Sequence, residues 1–268
     1  MLVIKMKLGG FGKLNDYEKI KSSGYDFAEL DLPEITELDE ESFEKLVMFI
    51  HESEYPVLTG ARLFPLSEPY FFTKQYDAKR MQTYLKKCCT RAQKIGIKKV
   101  ILGNGKARWL PEEKSQKEEL LFIDAIRIIA GIAGEHQMEL IIEPLGPRYS
   151  NYINTIPEAV DIIEKSKCKN VYTMADLRHM IAAGEPFQDI IDYIKMIHHI
   201  HIDYPLSFPE RRYPDIKDDY NYESFLDAVY RSGYDDTLTV EADIPENWNL
   251  AYQQAEACIR KYSKLLDR

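Results

Sequence analysis

Residues 140–176 read LIIEPLGPRYSNYINTIPEAVDIIEKSKCKNVYTMAD. Two short apolar runs, 140–143 and 171–176, flank a longer helix-like stretch, and each run ends in a carboxylate, Glu143 and Asp176. A strand, a helix and a second strand in succession are typical of a parallel sheet, because the chain must cross over before the next strand can run in the same direction.

The same alternation continues through the whole chain. Eight strands are predicted, at residues 3–8, 27–31, 57–63, 99–102, 140–143, 171–176, 199–203 and 237–241. Apolar residues at helical spacing lie between them and are expected to face the core: Phe43, Leu46, Val47, Ile50, Leu120, Leu121, Ile123, Ile126, Ile129 and Ile132. Eight such units in about 250 residues are the usual size of a (β/α)8 barrel. The sequence therefore predicts an α/β protein with a single TIM barrel domain over residues 1–268.

An open, doubly wound sheet is the alternative α/β architecture. It is expected to carry a glycine-rich phosphate turn after its first strand, and Gly9-Gly10-Phe11-Gly12 does not match G-x-G-x-x-G. We interpret these glycines as a tight turn that leaves the first strand.

Composition and charge narrow the class of protein. The 268 residues carry 35 Lys and Arg against 44 Asp and Glu, a net charge of −9, and 45% of them are hydrophobic. An acidic chain without a basic run is a poor partner for nucleic acid. No run of about 18 apolar residues and no secretory signal is present, so we expect a cytoplasmic enzyme without a membrane partner. The four cysteines, Cys88, Cys89, Cys168 and Cys258, lack C-x-x-C spacing and are expected to be reduced thiols.

Polar side chains at strand ends are the candidate chemical groups, because barrel active sites form at the carboxyl ends of the strands. Glu143, Asp176, His201 and Glu241 occupy four such ends. One carboxylate there is commonly a helix cap or an ion-pair partner, but three that converge need a cation to offset their repulsion. One imidazole with carboxylate oxygens favours Mn²⁺, with Mg²⁺, Co²⁺ and Zn²⁺ as alternatives. His199 shares a strand face with His201, and only one of the two is needed as a ligand.

These residues stand in motifs that resemble a known family. Glu143 lies in IIEPLGPRYSNYINTIPEAV, Asp176 and His179 in MADLRHM, His201 in HIHIDYP before ERRYP, and Glu241 in LTVEAD. Together with LGNGKAR at residues 102–108, they are similar to the sugar isomerase/epimerase members of the xylose isomerase-like barrel superfamily, and most similar in pattern to the ketose 3-epimerases.

The resemblance implies a fold, an activity and a set of site residues. Glu143, Asp176, His201 and Glu241 would bind the metal, Glu143 and Glu241 would also transfer protons, and His179 and Arg211 would contact the substrate. The implied reaction is isomerisation or epimerisation of a small ketose, polyol-derived ketone or related sugar through an enediolate. A helix-capping or packing role is the alternative for His179.

The sequence departs from ketose 3-epimerases in two places. Residues 147–150 lack the second glutamate that usually follows the fifth-strand ligand, so Arg148 or Tyr149 would take over its substrate contacts. The segment YPLSFPE, residues 204–210, is longer than usual, and assigning a role to Arg211 requires this segment to loop out.

Two other activities occur on this type of barrel. An inosose-type dehydratase needs the same metal and a carboxylate base, and it is the alternative function. An abasic-site endonuclease needs additional histidines, which the regions TGARLFP and GNGKAR do not contain. The expected partner is therefore a small sugar or polyol.

Aromatic residues are the candidates for a wall of the substrate site. Residues 64–72, FPLSEPYFF, are too irregular for a helix and are expected to form a loop over the barrel mouth. Trp109 and Trp248 also follow predicted strand ends. The alternative for all of them is internal packing or a contact between copies of the chain, so the sequence leaves a homo-oligomer open.

Overall fold

The computed structural model describes residues 6–112 and 115–266. Eight parallel strands form a closed barrel in which each strand pairs with the next and β8 pairs with β1. The strands are β1 Lys7–Gly12, β2 Phe27–Asp31, β3 Val57–Ala61, β4 Lys99–Leu102, β5 Glu139–Ile142, β6 Val171–Asp176, β7 Ile197–Ile202 and β8 Thr237–Val240. The predicted (β/α)8 fold is confirmed.

Helices surround the barrel. They are α1 Tyr17–Ser23, α2 Leu32–Glu37, α3 Glu40–Ser53, α4 Ala78–Lys94, α5 Gln116–Glu135, α6 Ile156–Ser166, α7 Leu177–Ala183, α8 Gln188–Asp192, α9 Glu223–Arg231 and α10 Trp248–Tyr262. None of the described helices is long and apolar enough to span a membrane.

Most predicted strands agree with the structure to within two residues. β2, β4 and β6 have the predicted bounds, and Glu143 and Glu241 lie one residue beyond β5 and β8. Both still join the barrel through their amides: Glu143 N donates to Leu102 O at 3.4 Å, and Glu241 N donates to Ile202 O at 3.2 Å. The two glutamates therefore leave the barrel at its carboxyl end, as predicted.

The interpretation of the first strand is wrong. It was expected at residues 3–8, of which 3–5 lie outside the described residues, and β1 instead runs through the glycines to Gly12. A Cβ at Gly9 would lie 2.3 Å from the ring of Phe27, and one at Gly10 would lie 2.8 Å from the ring of Tyr25. These glycines make room for neighbouring aromatic rings inside a strand, and they do not form a turn.

The apolar stripes of the helices mostly face the core. Phe43 and Ile50 of α3 and Ile126 of α5 are buried, and burying such a side chain contributes about 1.5–3 kcal/mol. Leu120 is an exception, with 52% of its surface exposed. Leu120 precedes Ile126 by six residues, and each residue turns the helix by about 100°. Leu120 therefore lies about 120° around the helix from Ile126 and points away from the barrel.

The four cysteines are free thiols, as expected, and Cys88, Cys89 and Cys258 are buried.

Candidate metal centre and substrate cavity

A cavity of about 460 Å³ opens at the carboxyl end of the barrel. All the polar residues singled out from the sequence motifs line it except Asp176. Its lining residues are Ala61, Arg62, Leu66, Ile101, Gly103, Asn104, Gly105, Lys106, Trp109, Glu143, Leu145, Arg148, Tyr149, His179, His201, Arg211 and Glu241.

Glu143, Asp176, His201 and Glu241 converge at this cavity. One ligand-type atom from each lies within 4.8 Å of all the others. The ring nitrogen Nδ1 of His201 is 3.2 Å from Glu241 Oε2 and 3.7 Å from both Glu143 Oε1 and Asp176 Oδ2. The pairing of β6 with β7 contributes to this convergence, because it sets Asp176 directly beside His201.

This donor set fits a divalent cation. Two ligand atoms at about 2.1 Å from an ion lie about 3.0 Å apart in octahedral geometry and about 3.4 Å apart in tetrahedral geometry. The measured separations from His201 Nδ1 are close to these values. Nδ1 is also buried and has no hydrogen-bond partner in the structure, so no other group of the protein occupies the side of the ring that would bind the metal.

The charges around the centre act on one another. Burial alone would raise the pKa of Glu241, but Arg211 and His201 outweigh burial and hold this pKa below its ordinary value. Burial would also raise the pKa of Asp176, which His179, His201 and Arg211 lower. The pKa of His201 is raised well above 6.5 because Glu29 and Glu241 outweigh the effect of burial. The carboxylates therefore create a negative field that favours a cation.

The two carboxylate oxygens of Asp176 make different contacts. Its Oδ1 accepts a hydrogen bond from the backbone N of His179 at 3.0 Å and so caps α7. Its Oδ2 faces His201. The capping residue is thus Asp176, and the His179 ring lines the cavity. Its Nε2 lies 3.7 Å from Glu143 Oε1, and the ring makes an edge-to-face contact with Tyr149.

Residues 204–210 loop out from the barrel, and the chain returns to the cavity at Arg211. The backbone N of Tyr204 donates to Arg212 O at 2.8 Å, which closes the loop at its base. Arg211 then reaches the centre, where its guanidinium donates to Glu241 and lies 3.3 Å from Asp176 Oδ2.

A buried arginine holds this loop. Arg178 pairs with Asp203 at 2.6 Å, and its Nη2 donates to Tyr204 O, Ser207 Oγ and Glu210 O at 2.8–3.0 Å. Arg178 precedes His179 in the MADLRHM motif, but only the fold shows that it points at the loop.

Two residues of the GNGKAR turn position Glu143, a function that the motif alone did not reveal. Gly103 leaves space for the carboxylate, since a Cβ there would lie 1.9 Å from Glu143 Oε2. The fully buried Arg108 donates to Glu143 O and to Leu102 O, and so joins the ends of β4 and β5. The remaining missed residue is Glu29 of β2, which lies against His201 on the barrel axis.

Some residues of the aromatic segment 64–72 pack internally, and others line the cavity. Phe64 and Phe71 are buried and pack against each other, whereas Leu66 is exposed and lines the cavity. Trp109 also lines the cavity, with 46% of its surface exposed. Trp248 does not reach the cavity: it is 7% exposed at the start of α10.

Comparisons with known proteins agree with this architecture. A family model described as a xylose isomerase-like TIM barrel matches residues 17–262. A search of curated protein sequences gave no significant match.

Solved structures share the fold over nearly the whole chain. A 3-keto-D-glucoside 4-epimerase from E. coli is 21% identical, with 96% of this chain and 100% of that chain covered and a TM-score of 0.77. A D-psicose 3-epimerase, solved in the presence of D-fructose, is 15% identical, with 98% and 100% covered and a TM-score of 0.80. The IolI protein with a bound zinc atom is 20% identical, with 96% and 99% covered and a TM-score of 0.75. At these identities the likeness establishes the fold.

Proposed function

Because the chain belongs to the xylose isomerase-like TIM barrel family, we propose that it is a divalent-metal-dependent sugar isomerase or epimerase. Its substrate is a small ketose, a polyol-derived ketone or a related sugar, and the reaction begins with removal of a proton from the carbon beside a carbonyl. The observation that carries the proposal is the convergence of Glu143, Asp176, His201 and Glu241 at one cavity. The sugar epimerases among the structural neighbours support the same class.

The four converging residues would hold the metal. Three carboxylates and one imidazole form an oxygen-rich set, for which Mn²⁺ is the first choice and Mg²⁺, Co²⁺ or Zn²⁺ are alternatives. When bound, a divalent cation supplies positive charge beside the substrate oxygens and so lowers the cost of removing the neighbouring proton.

Glu143 and Glu241 are the proposed proton-transfer groups. Both line the cavity, and they leave the barrel from different strands, β5 and β8. One carboxylate removes the proton and the other returns it, which is the exchange that an epimerisation requires. General acid–base catalysis of this kind contributes about 10²–10⁴-fold to the rate.

Substrate oxygens would be bound by side chains around the centre. His179 and Arg211 line the cavity beside the carboxylates and can donate hydrogen bonds to hydroxyl or carbonyl oxygens. Arg148 and Tyr149 also line the cavity, so they can supply the contacts for which residues 147–150 offer no glutamate.

The test is a substrate panel in deuterated water. Protein loaded with Mn²⁺ is incubated with ketoses, polyol-derived ketones and inososes, and the products are identified by NMR and mass spectrometry. An isomer or epimer with deuterium at the exchanged carbon is expected. A dehydrated product would assign the chain to the inosose-type dehydratases, and a panel without exchange or product would contradict the proposal.

A further inference from the structure

A charged side chain lies on the barrel axis, where such barrels are usually filled by branched apolar residues. Glu29 of β2 is fully buried. The hydroxyls of Thr59 and Thr239 both donate to its Oε2, at 2.7 and 3.0 Å. A buried carboxylate needs several donors to offset its lost hydration, and these threonines from β3 and β8 supply two.

Two histidines of β7 bring their Nε2 atoms to the same carboxylate. His201 Nε2 is 3.0 Å from Glu29 Oε1, and His199 Nε2 is 2.9 Å from Oε2. A carboxylate can only accept, so the proton of His201 belongs on Nε2 in this contact. Its Nδ1 is then the nitrogen that a metal would occupy, and Nδ1 is the atom that faces the carboxylates of the candidate metal centre.

His199 is held on its other side by a chain of contacts. Lys99 Nζ, which has no acceptor capacity, donates to Thr237 Oγ1 at 3.1 Å. The Thr237 hydroxyl in turn forms a hydrogen bond with His199 Nδ1, 2.8 Å away. The other ring nitrogen of His199, Nε2, lies against Glu29 without forming a hydrogen bond.

The trio of Glu29, His199 and His201 also has spacing compatible with a metal ion. The contact between His201 and Glu29 explains this spacing differently, because the Nε2 atom of His201 faces the carboxylate at hydrogen-bond distance. The Glu29–His201 pair therefore acts as a hydrogen-bonded support beside the candidate metal centre, and His201 presents its Nδ1 side to the cation.

We propose that Glu29 is a positioning residue that fixes His201 with its proton on Nε2 and its Nδ1 lone pair directed at the metal. This inference rests on the proposed metal-dependent function. A carboxylate behind a metal-binding histidine orients the ring and increases its basicity, and the loss of such a partner typically lowers metal affinity by about 10–100-fold.

The first test compares Glu29→Gln with wild-type protein and with Glu185→Gln. Glu185 is a buried carboxyl outside the cavity, so it controls for a Glu-to-Gln replacement at another buried position. Zn²⁺ and Mn²⁺ affinities and stoichiometries are measured by competition with a chelator, and folding is checked by circular dichroism. We expect one metal ion per wild-type chain, an affinity about 10–100-fold lower in Glu29→Gln, and an unchanged affinity in Glu185→Gln. A folded Glu29→Gln variant with wild-type affinity, or a second metal ion bound by the trio, would overturn the inference.

The second test needs no variant and no metal. Long-range ¹H–¹⁵N NMR of the histidine rings in wild-type protein at pH 7 and above should show a proton on Nε2 of His201. A neutral ring with its proton on Nδ1 would refute the role of Glu29, even if Glu29→Gln did not fold. If wild-type protein bound no metal while the Nε2 proton was present, the proposed function would fail and the contact between Glu29 and His201 would stand.

Discussion

Gly103 lies so close to Glu143 that a Cβ on the glycine would be 1.9 Å from Oε2 of the glutamate. No real pair of such atoms approaches so closely, so any side chain at position 103 forces the carboxylate or the turn after β4 to move. The orientation of Glu143 therefore depends on the absence of a side chain in the turn after the neighbouring strand, β4.

Gly103→Ala is expected to lower metal affinity by at least about tenfold, because a displaced ligand loses its optimal geometry. Affinity is measured by chelator competition, with circular dichroism as the check on folding. Gly131→Ala is the matched control: Gly131 lies in α5, and a Cβ there meets nothing within 4 Å. The control should keep the affinity and gain about 0.5–1 kcal/mol in stability. An unchanged affinity in folded Gly103→Ala would contradict the positioning role of Gly103.

Asp176→Asn should separate capping from metal binding. Asparagine caps a helix as well as aspartate does, so α7 and the stability of the fold should be retained. The lost negative charge should reduce the metal content after dialysis, as measured by elemental analysis.

In wild-type protein, exhaustive chelation should abolish turnover and Mn²⁺ or Co²⁺ should restore it. Full activity after verified metal removal would rule out the proposed mechanism.

Glu143→Gln and Glu241→Gln should each reduce turnover by about 10²–10⁴-fold with the fold intact. The variant that keeps the first base can still exchange substrate protons with deuterated water without completing epimerisation, whereas the variant that lacks this base does neither. Mass spectrometry of recovered substrate distinguishes the two glutamates. Near-normal turnover in both variants would make them structural carboxylates.

Arg178→Met should destabilise the fold by about 3–5 kcal/mol, because it leaves the buried Asp203 without its closest partner. Urea denaturation measures the free energy of unfolding. An exposed ion pair provides the control: Arg231 lies 3.5 Å from Asp227, with side chains 63% and 51% exposed, so Arg231→Met should cost less than about 1 kcal/mol. Equal losses in the two variants would contradict the anchoring role of Arg178.

Glu185 should make stability depend on pH. Burial, reinforced by Asp189, raises its pKa from 4.5 to about 8, so the folded state holds this proton where the unfolded state releases it. The stability that the neutral carboxyl contributes is complete below pH 4.5 and is lost as pH rises to about 8. Unfolding free energies between pH 5 and 9 should therefore fall more steeply in wild-type protein than in Glu185→Gln. If the free energy of unfolding depended on pH in the same way in both proteins, the raised pKa of Glu185 would be refuted.

The sequence predicted the barrel because its determinants are local. Each strand is a short apolar run and each helix has a periodic apolar face, so both can be recognised without knowing what they contact. Three strands have the predicted bounds. The polar residues at the strand ends could also be predicted, because a closed parallel barrel brings the carboxyl ends of all its strands to one mouth.

The missed features depend on contacts between distant segments. Position 9 has no room for a side chain because Phe27 fills the space beside it, and the buried Glu29 is stabilised by residues of β3, β7 and β8. Local periodicity does not reveal which residues lie beside Gly9 or around Glu29. A charged residue within the buried strand FAELD was the available signal for Glu29, because an isolated buried charge is too costly to retain without partners.

The two tryptophans of the chain occupy opposite environments. Trp109 is at the cavity wall, and Trp248 is buried at the start of α10. Fluorescence at the red edge of the tryptophan emission should thus come mainly from Trp109, and Trp109→Phe should remove this component. The protein therefore contains an intrinsic optical probe for ligands entering the cavity, which allows sugars to be screened by binding before any turnover is known.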